Sequence, residues 1–292
     1  MKILLIGASG FIGRNLSGVL RQAGHDIVPV SRHHGVDVSL MRRSEQWLPW
    51  LRGVEVVINA VGIIGESGGQ GFAALHTEAP VALFDACLAA GVRRVIQISA
   101  LGADTRAASA YHLSKRAADD YLRSLDLDWW VLRPALIYGR GGASSEMFQR
   151  LARLPIVPVI GDGRQPLQPV HIADVVATIV ACMTSEQART TLDIVGNEVV
   201  EYAHWLQRLR LAQGYRQGGV LHLPLWLVLL GAWAGQVFSP MLRTENIRML
   251  VTGYRASPNS WNAFLGRRAL DFSPALLRAN AVEALSGQGS VS

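Results

Sequence analysis

Residues 2–16 read KILLIGASGFIGRNL, and this stretch decides the fold. Ile3, Leu4, Leu5 and Ile6 form an unbroken apolar run closed by Gly7. That is too short for a helix and reads as a strand buried on both faces. Gly7, Gly10 and Gly13 then recur at three-residue spacing. Ile12, Leu16, Val19, Leu20 and Ala23 follow at helical spacing, and Gly24 stops the helix. A strand that turns directly into a helix needs residues without side chains at the turn, where a ligand approaches the backbone, and where helix meets sheet. Ser9, Gly10, Phe11, Ile12 and Gly13 form the helix start, whose free N–H groups and positive dipole end suit a phosphate. The spacing alone is weak; placed between a strand and a helix it predicts a dinucleotide-binding loop.

The same alternation continues outward. Apolar runs at 26–31, 54–62, 92–99 and 129–139 read as strands. Helical patterns at about 40–51, 72–90 and 110–125 separate most of them, and 170–183 and 191–196 add a further helix and strand. This predicts a doubly wound α/β fold: a parallel Rossmann sheet covered on both faces. Residues 1–138 with about 170–196 are expected to form the dinucleotide-binding domain. Residues about 139–169 and 197–285 are expected to form a smaller, mainly helical substrate lobe, and 286–292, SGQGSVS, a disordered tail.

Composition bounds the function. The 292 residues are 50% hydrophobic and 17% charged, enough for a large core. The net charge of +6 comes from scattered arginines with no long basic run, which argues against nucleic acid. Cys87 and Cys182 sit in apolar segments without metal-ligand spacing, so they read as reduced core residues and no metal is expected. The N-terminus lacks the pattern of a signal peptide, and a cytoplasmic protein is expected.

The end of the second strand reads Ser31-Arg32, a hydroxyl and a guanidinium where a carboxylate would accept from a ribose 2′-hydroxyl. This favours NADP(H), with NAD(H) as the alternative, unless Arg32 is only a solvated surface residue. Tyr111 and Lys115 stand four apart on a predicted helix, one turn apart on one face, with Ser109 as a candidate cap. The chain has two lysines, Lys2 and Lys115, among 28 basic residues. A lysine kept beside a tyrosine in an arginine-rich chain supplies a compact point charge that can favour a phenolate.

These features resemble the short-chain dehydrogenase/reductase superfamily, in its extended and atypical branches. GASGFIGRNL, NAVGII, YHLSK and VLRPALIYG occur in that superfamily's order. Together they are similar to the branch containing the NAD(P)H-binding accessory subunit of respiratory complex I and its bacterial relatives, over about residues 1–185. The resemblance implies that Tyr111 exchanges a proton with a carbonyl or alcohol and that Lys115 holds the nicotinamide ribose. It places Asp37 near the adenine, Asn59, Ala60, Val61 and Gly62 beside the cofactor, and Pro134 over the nicotinamide. Ser99 either polarises the substrate oxygen or only ends its strand; the two following positions, where extended members usually carry the hydroxyl, are Ala100 and Leu101. In VHIADVV, His171 either faces the cleft or packs in the core, and Asp174 either matches the branch motif or serves a helix start.

Residues 217–242 contain no Asp, Glu, Lys or Arg. The richest part, 223–238, is short for a bilayer span of about 20 residues. It reads as a buried lobe helix, or as a peripheral membrane contact or lid over a hydrophobic substrate. The functional expectation is an NADP(H)-dependent oxidoreductase acting on a small, hydrophobic carbonyl, alcohol or quinone-like substrate. The alternatives are a non-catalytic NADPH-binding structural or assembly protein of a membrane complex, and a nucleotide-sugar epimerase or dehydratase.

Overall fold

The computed structural model describes residues 1–66, 69–235 and 243–287. The first strand and helix, β1 (Lys2–Ile6) and α1 (Phe11–Gln22), flank the glycine turn. Then come β2 (Asp26–Val30), β3 (Val56–Asn59), α2 (Ala79–Ala90), β4 (Arg94–Ile98), α3 (Ala110–Ser124) and β5 (Asp128–Pro134). The chain continues through β6 (Ile137–Tyr138), α4 (Ala143–Arg153), β7 (Ile156–Ile160), β8 (Pro166–Leu167), β9 (Val170–His171), α5 (Ile172–Thr184) and β10 (Thr190–Ile194). Last are β11 (Val200–Glu201), α6 (Tyr202–Ala212), β12 (Gly219–Leu223), α7 (Leu225–Gly235), α8 (Thr244–Thr252), α9 (Asn259–Leu265), α10 (Pro274–Arg278) and α11 (Ala281–Ser286).

Six strands form one parallel sheet in the order β10-β5-β4-β3-β1-β2. This is the doubly wound Rossmann-like α/β fold that the alternating pattern predicts. Successive residues of its strands feed opposite cores, as the strand period requires. Ile3, Leu5, Ile58, Trp130 and Leu132 pack with α1 and α5 on one face. Leu4, Ile6, Val57, Trp129 and Val131 pack with α2 and α3 on the other. β1 lies between β2 and β3, so strand order reverses there. The carboxyl ends of β1 and β3 at such a reversal form the crevice where open α/β sheets take ligands. Pro29 lies in the edge strand β2, where a missing ladder donor costs least.

One expectation is corrected. The helix expected at 40–51 is a chain of short 3₁₀ turns at Val38–Leu40, Ser44–Gln46 and Leu48–Leu51. Pro49 and Gly53 interrupt a longer helix, and Trp47 anchors the turns by burying its ring and donating from Nε1 to Met41 O at 3.0 Å. The segment 197–270 is mainly helical, as expected, and adds one strand pair that the sequence pattern does not place. β12 pairs in parallel with β7, placing Leu221 against Pro158. Around this pair, α4 and α6 build a third core with Phe148, Val157, Trp205 and Leu206. Residues 288–292 of the expected tail and 236–238 of the apolar stretch lie outside the described residues.

The glycine turn is sterically required. Gly7 has φ +81°, and a Cβ there would sit 2.7 Å from the carbonyl carbon of Ala60. A Cβ on Gly13 would sit 2.2 Å from Gly7 O. Gly13→Ala must therefore push α1 away from β1, an overpacking that costs about 1–3 kcal/mol. Thermal unfolding should show a midpoint a few degrees below wild type; an unchanged midpoint would mean that this contact is loose.

Candidate active site

α3 supplies the centre of the site. Ser109 caps it, its Oγ accepting from His112 N at 3.1 Å. The helix carries Tyr111, Lys115 and Asp119 at four-residue intervals, on one face. Lys115 is 3% exposed, and its Nζ donates to Val61 O and Ile98 O, each at 3.0 Å. The ammonium is thus fixed just beyond β3 and at the end of β4, at the crevice. Gly62 makes room, since a Cβ there would lie 3.2 Å from Nζ. Two of the three N–H bonds go to these carbonyls, leaving one donor.

Asp119 lies behind Lys115 and is fully buried. Its Oδ2 accepts a short hydrogen bond from Ser99 Oγ. Burial pulls the Lys115 ammonium down and pushes the Asp119 carboxyl up; each group's charge opposes the other's shift. The Ser99 hydroxyl is committed to this carboxylate and buried, and Ala100 and Leu101 add no hydroxyl in its place.

Tyr111 is held in an aromatic box. Its ring meets Phe72 at 5.9 Å, His76 at 5.4 Å and His112 at 5.1 Å between centroids, all edge-on. Its N–H donates to Glu245 Oε1 of α8 at 3.0 Å. Burial pushes the phenol up to about 12, so it is protonated at neutral pH. His76 sits on a π-helical turn, Ala73–Glu78, that leads into α2. Its Nε2 accepts from Ile63 N at 3.0 Å, which puts the ring proton on Nδ1, facing Ser114 Oγ at 3.0 Å. Ser114 in turn donates to Tyr111 O at 2.8 Å. Burial and the Lys115 charge hold His76 at about 2, so it braces the loop after β3 as a neutral ring.

The other residues expected to hold a dinucleotide lie at, or in the segments that follow, the carboxyl ends of β1, β2, β3 and β5. Gly10 caps α1 without a side chain, leaving the first-turn N–H groups to other partners. Ser9 O accepts from Arg14 Nη1 at 2.5 Å, Phe11 presses its ring on Gly142, and Ile12 packs on the core beneath. Asn59 donates to Gln97 Oε1 at 2.7 Å and accepts from Val61 N at 3.3 Å, which shapes the turn through Ala60 and Val61 to Gly62. Pro134 ends β5, and its carbonyl accepts from Leu101 N at 3.0 Å. Ser31 turns its hydroxyl to His34 Nδ1 at 2.7 Å, so it shapes the turn after β2, while Arg32 is exposed. Asp37 accepts from Ser39 Oγ at 2.7 Å and Ser39 N at 3.0 Å; these bonds, outweighing partial burial, hold its carboxyl below the usual range, aided by the Arg32 charge.

His171 and Asp174 lie outside the crevice. His171 is fully buried, accepts from Ala173 N at 3.2 Å, and donates to Leu276 O at 3.0 Å; burial lowers it to about 4. Asp174, also fully buried, accepts from Leu270 N at 2.9 Å and pairs with Arg267 at 2.7 Å. Both fasten the C-terminal segment to α5. Beside the first turn of α3 a cavity of about 710 Å³ opens, lined by Leu101, Gly102, Ser109, Glu245 and Tyr254 among others. Among the described residues, no group of His, Cys, Asp or Glu could hold a metal ion.

Sequence reasoning did not single out His76, Asp119, Glu245 or Tyr254. Asp119 carried a signal, four residues after Lys115. The other three reach the site through tertiary contacts alone.

Comparisons with known proteins agree with this architecture. The model of the NAD dependent epimerase/dehydratase family matches residues 3–195. Ceramide reductase of Caulobacter vibrioides (strain NA1000 / CB15N) is 31% identical over 198 residues, 62% of this chain and 61% of that one. The mitochondrial NADH dehydrogenase [ubiquinone] 1 alpha subcomplex subunit 9 of Mus musculus is 28% identical over 193 residues, 60% of this chain and 51% of that one. The chain thus spans between half and two thirds of the length of these relatives. In fold it is similar to MoeE5 in complex with UDP-glucuronic acid and NAD, with a TM-score of 0.71, 21% identity, and 99% and 100% of the two chains covered. It is also similar to dTDP-glucose 4,6-dehydratase from Bacillus anthracis str. Ames, with a TM-score of 0.73, 14% identity, and 99% and 98% covered. The glycine turn, the sheet order and the match across residues 3–195 together show that the chain belongs to the NAD dependent epimerase/dehydratase family.

Proposed function

We propose that the protein is an oxidoreductase that binds NADP(H) and reduces a hydrophobic carbonyl, or oxidises the corresponding alcohol. The observation that carries this reading is Lys115, fixed by two backbone carbonyls at the crevice with Tyr111 one turn earlier. Two features support a dinucleotide at this turn: Gly7 and Gly13 let the turn and α1 pack close to the backbone around them, and the helix start has no side-chain cap. When bound, the cofactor supplies or accepts the hydride at the substrate carbon. Tyr111 Oη gives its proton to the carbonyl oxygen in reduction and recovers it in oxidation. The Lys115 ammonium offers its remaining donor to the cofactor ribose and stabilises the phenolate left behind. The similarity to a ceramide reductase supports a long-chain, amphiphilic carbonyl as the substrate class.

Arg32 supports NADP(H) over NAD(H), because it is exposed beside the turn after β2 and near Asp37. Titration of the apoprotein should show tighter binding of NADPH than NADH. Arg32→Ala should weaken NADPH by about tenfold, the loss of one charge-assisted contact, and leave NADH unchanged. Equal affinities in the wild-type protein would overturn the cofactor assignment.

A second reading has its own support. Ser99 spends its hydroxyl on Asp119, and a respiratory-complex subunit is among the relatives. A structural protein that holds NADPH as a folding ligand would bind the same nucleotide without turnover.

A further inference from the structure

We infer that the β7–β12–α7 face of the lobe docks on an anionic phospholipid bilayer. The observations concern the β7–β12 pair and α7. β12 pairs only with β7 among the described strands, and four of its five residues are exposed. Leu221 on β12 is 50% exposed, and Ile156 at the start of β7 is 59% exposed. On α7, Trp226 is 68% and Leu230 55% exposed. Leu154, Leu211 and Tyr215 extend this apolar surface at the end where β7 and β12 begin. Exposed large apolar side chains gathered on one strand pair and the helix that follows it mark a contact face. Tryptophan and leucine are side chains that enter the headgroup–acyl boundary.

The charge on this face selects the partner. Residues 147–161 and 202–244 contain six arginines and no Asp or Glu. Arg208 and Arg150 are neutralised from outside, by Glu198 and Glu146. Among the described residues, Arg153, Arg210 and Arg216 have no acidic partner. Arg153 donates to Gln213 Oε1 at 2.6 Å, and Arg210 donates to the carbonyls of Ala152, Leu154 and Arg216 and stacks over Tyr215. Arg216 is exposed next to them. Apolar side chains that need a non-aqueous neighbour, rimmed by guanidiniums bonded only to neutral groups, complement a surface that is apolar within and negative at its edge. Anionic lipid headgroups over acyl chains have that structure. A nucleic acid matches the charge and not the leucines. Among the described residues no helix is long and apolar enough to cross a membrane, and the inferred contact is a peripheral one.

The test is vesicle flotation of the full chain, with phosphatidylcholine vesicles against vesicles that also contain phosphatidylglycerol. The protein should float with the anionic vesicles at low salt, and high salt should release a large part of it. Trp226→Ser with Leu230→Ser, and separately Arg153→Gln with Arg216→Gln, should each lower partitioning by about tenfold. All four side chains are exposed or at the face, so both variants should fold, and NADPH affinity serves as the check that they do. Absence of flotation with anionic vesicles overturns the inference. So does flotation that neither variant reduces. Concentration-dependent dimerisation abolished by the Trp226/Leu230 variant, without vesicle binding, would instead assign the face to a second copy of the chain. Because NADPH binding is read separately, failure here leaves the enzymatic reading standing.

Discussion

Replacing Tyr111 with phenylalanine is expected to lower kcat by about 10²–10⁴-fold, the usual contribution of a positioned proton donor, while NADPH binding is retained. The ring should stay in place, since Phe72, His76 and His112 hold it by edge contacts that phenylalanine keeps. The backbone bond to Glu245 is also unaffected. The measurement is NADPH oxidation with long-chain carbonyl amphiphiles in mixed micelles, alongside nucleotide titration. Retained turnover in the variant would remove Tyr111 from the chemistry. Wild-type protein that binds NADPH tightly and turns over none of the amphiphiles would favour the structural reading.

Arg267→Met should produce the largest loss of stability, about 3–5 kcal/mol, because it strands the fully buried Asp174 carboxylate without its cation. For a chain of this size that is a fall in Tm on the order of 10 °C. The loss should depend on pH in a definite direction. Burial raises the folded-state pKa of Asp174 above its unfolded value, against the pull of the Leu270 N–H and Arg267. With Arg267 gone the carboxyl rises further. As pH falls through that raised value, the native state takes up a proton that the unfolded chain does not, and stability returns. Thermal unfolding at several pH values should show the gap between variant and wild type narrowing as the pH is lowered from neutrality. A gap that is constant or widens on acidification would show that Arg267 acts through packing alone.

How much of this was legible in the sequence follows from how local each feature is. The β1–glycine–α1 unit is specified by residues within about one strand and two helical turns, and its glycines have steric causes that no distant contact can replace. Tyr111 and Lys115 are equally local, since helical spacing alone puts them on one face. The β7–β12 pair was not legible: each strand is five residues, one holds Pro158, and their registration joins positions about sixty apart. The turns over 38–51 carried an apolar pattern that resembled a helix, but Pro49 and the burial of Trp47 set their conformation. His76 reaches Tyr111 only because the entry to α2 is wound as a π-turn, a detail that periodicity does not carry. Ser99 follows directly on β4, and its hydroxyl direction depends on Asp119 from another element.

The fastening of the C-terminal segment to the sheet bears on how the chain folds as it is made. Trp261, Ala269, Ala281 and Ala284 belong to the same core face as α1 and α5. Ala281 N donates to Asn15 Oδ1 across 266 residues of sequence. The core on this face of the sheet is therefore incomplete until residues as far as Ala284 have left the ribosome. Contacts of such long separation close late and slow the search for the native state. In the interval the apolar face of α1 and α5 stays open to solvent, so exposure to aggregation during synthesis should depend on residues 261–284.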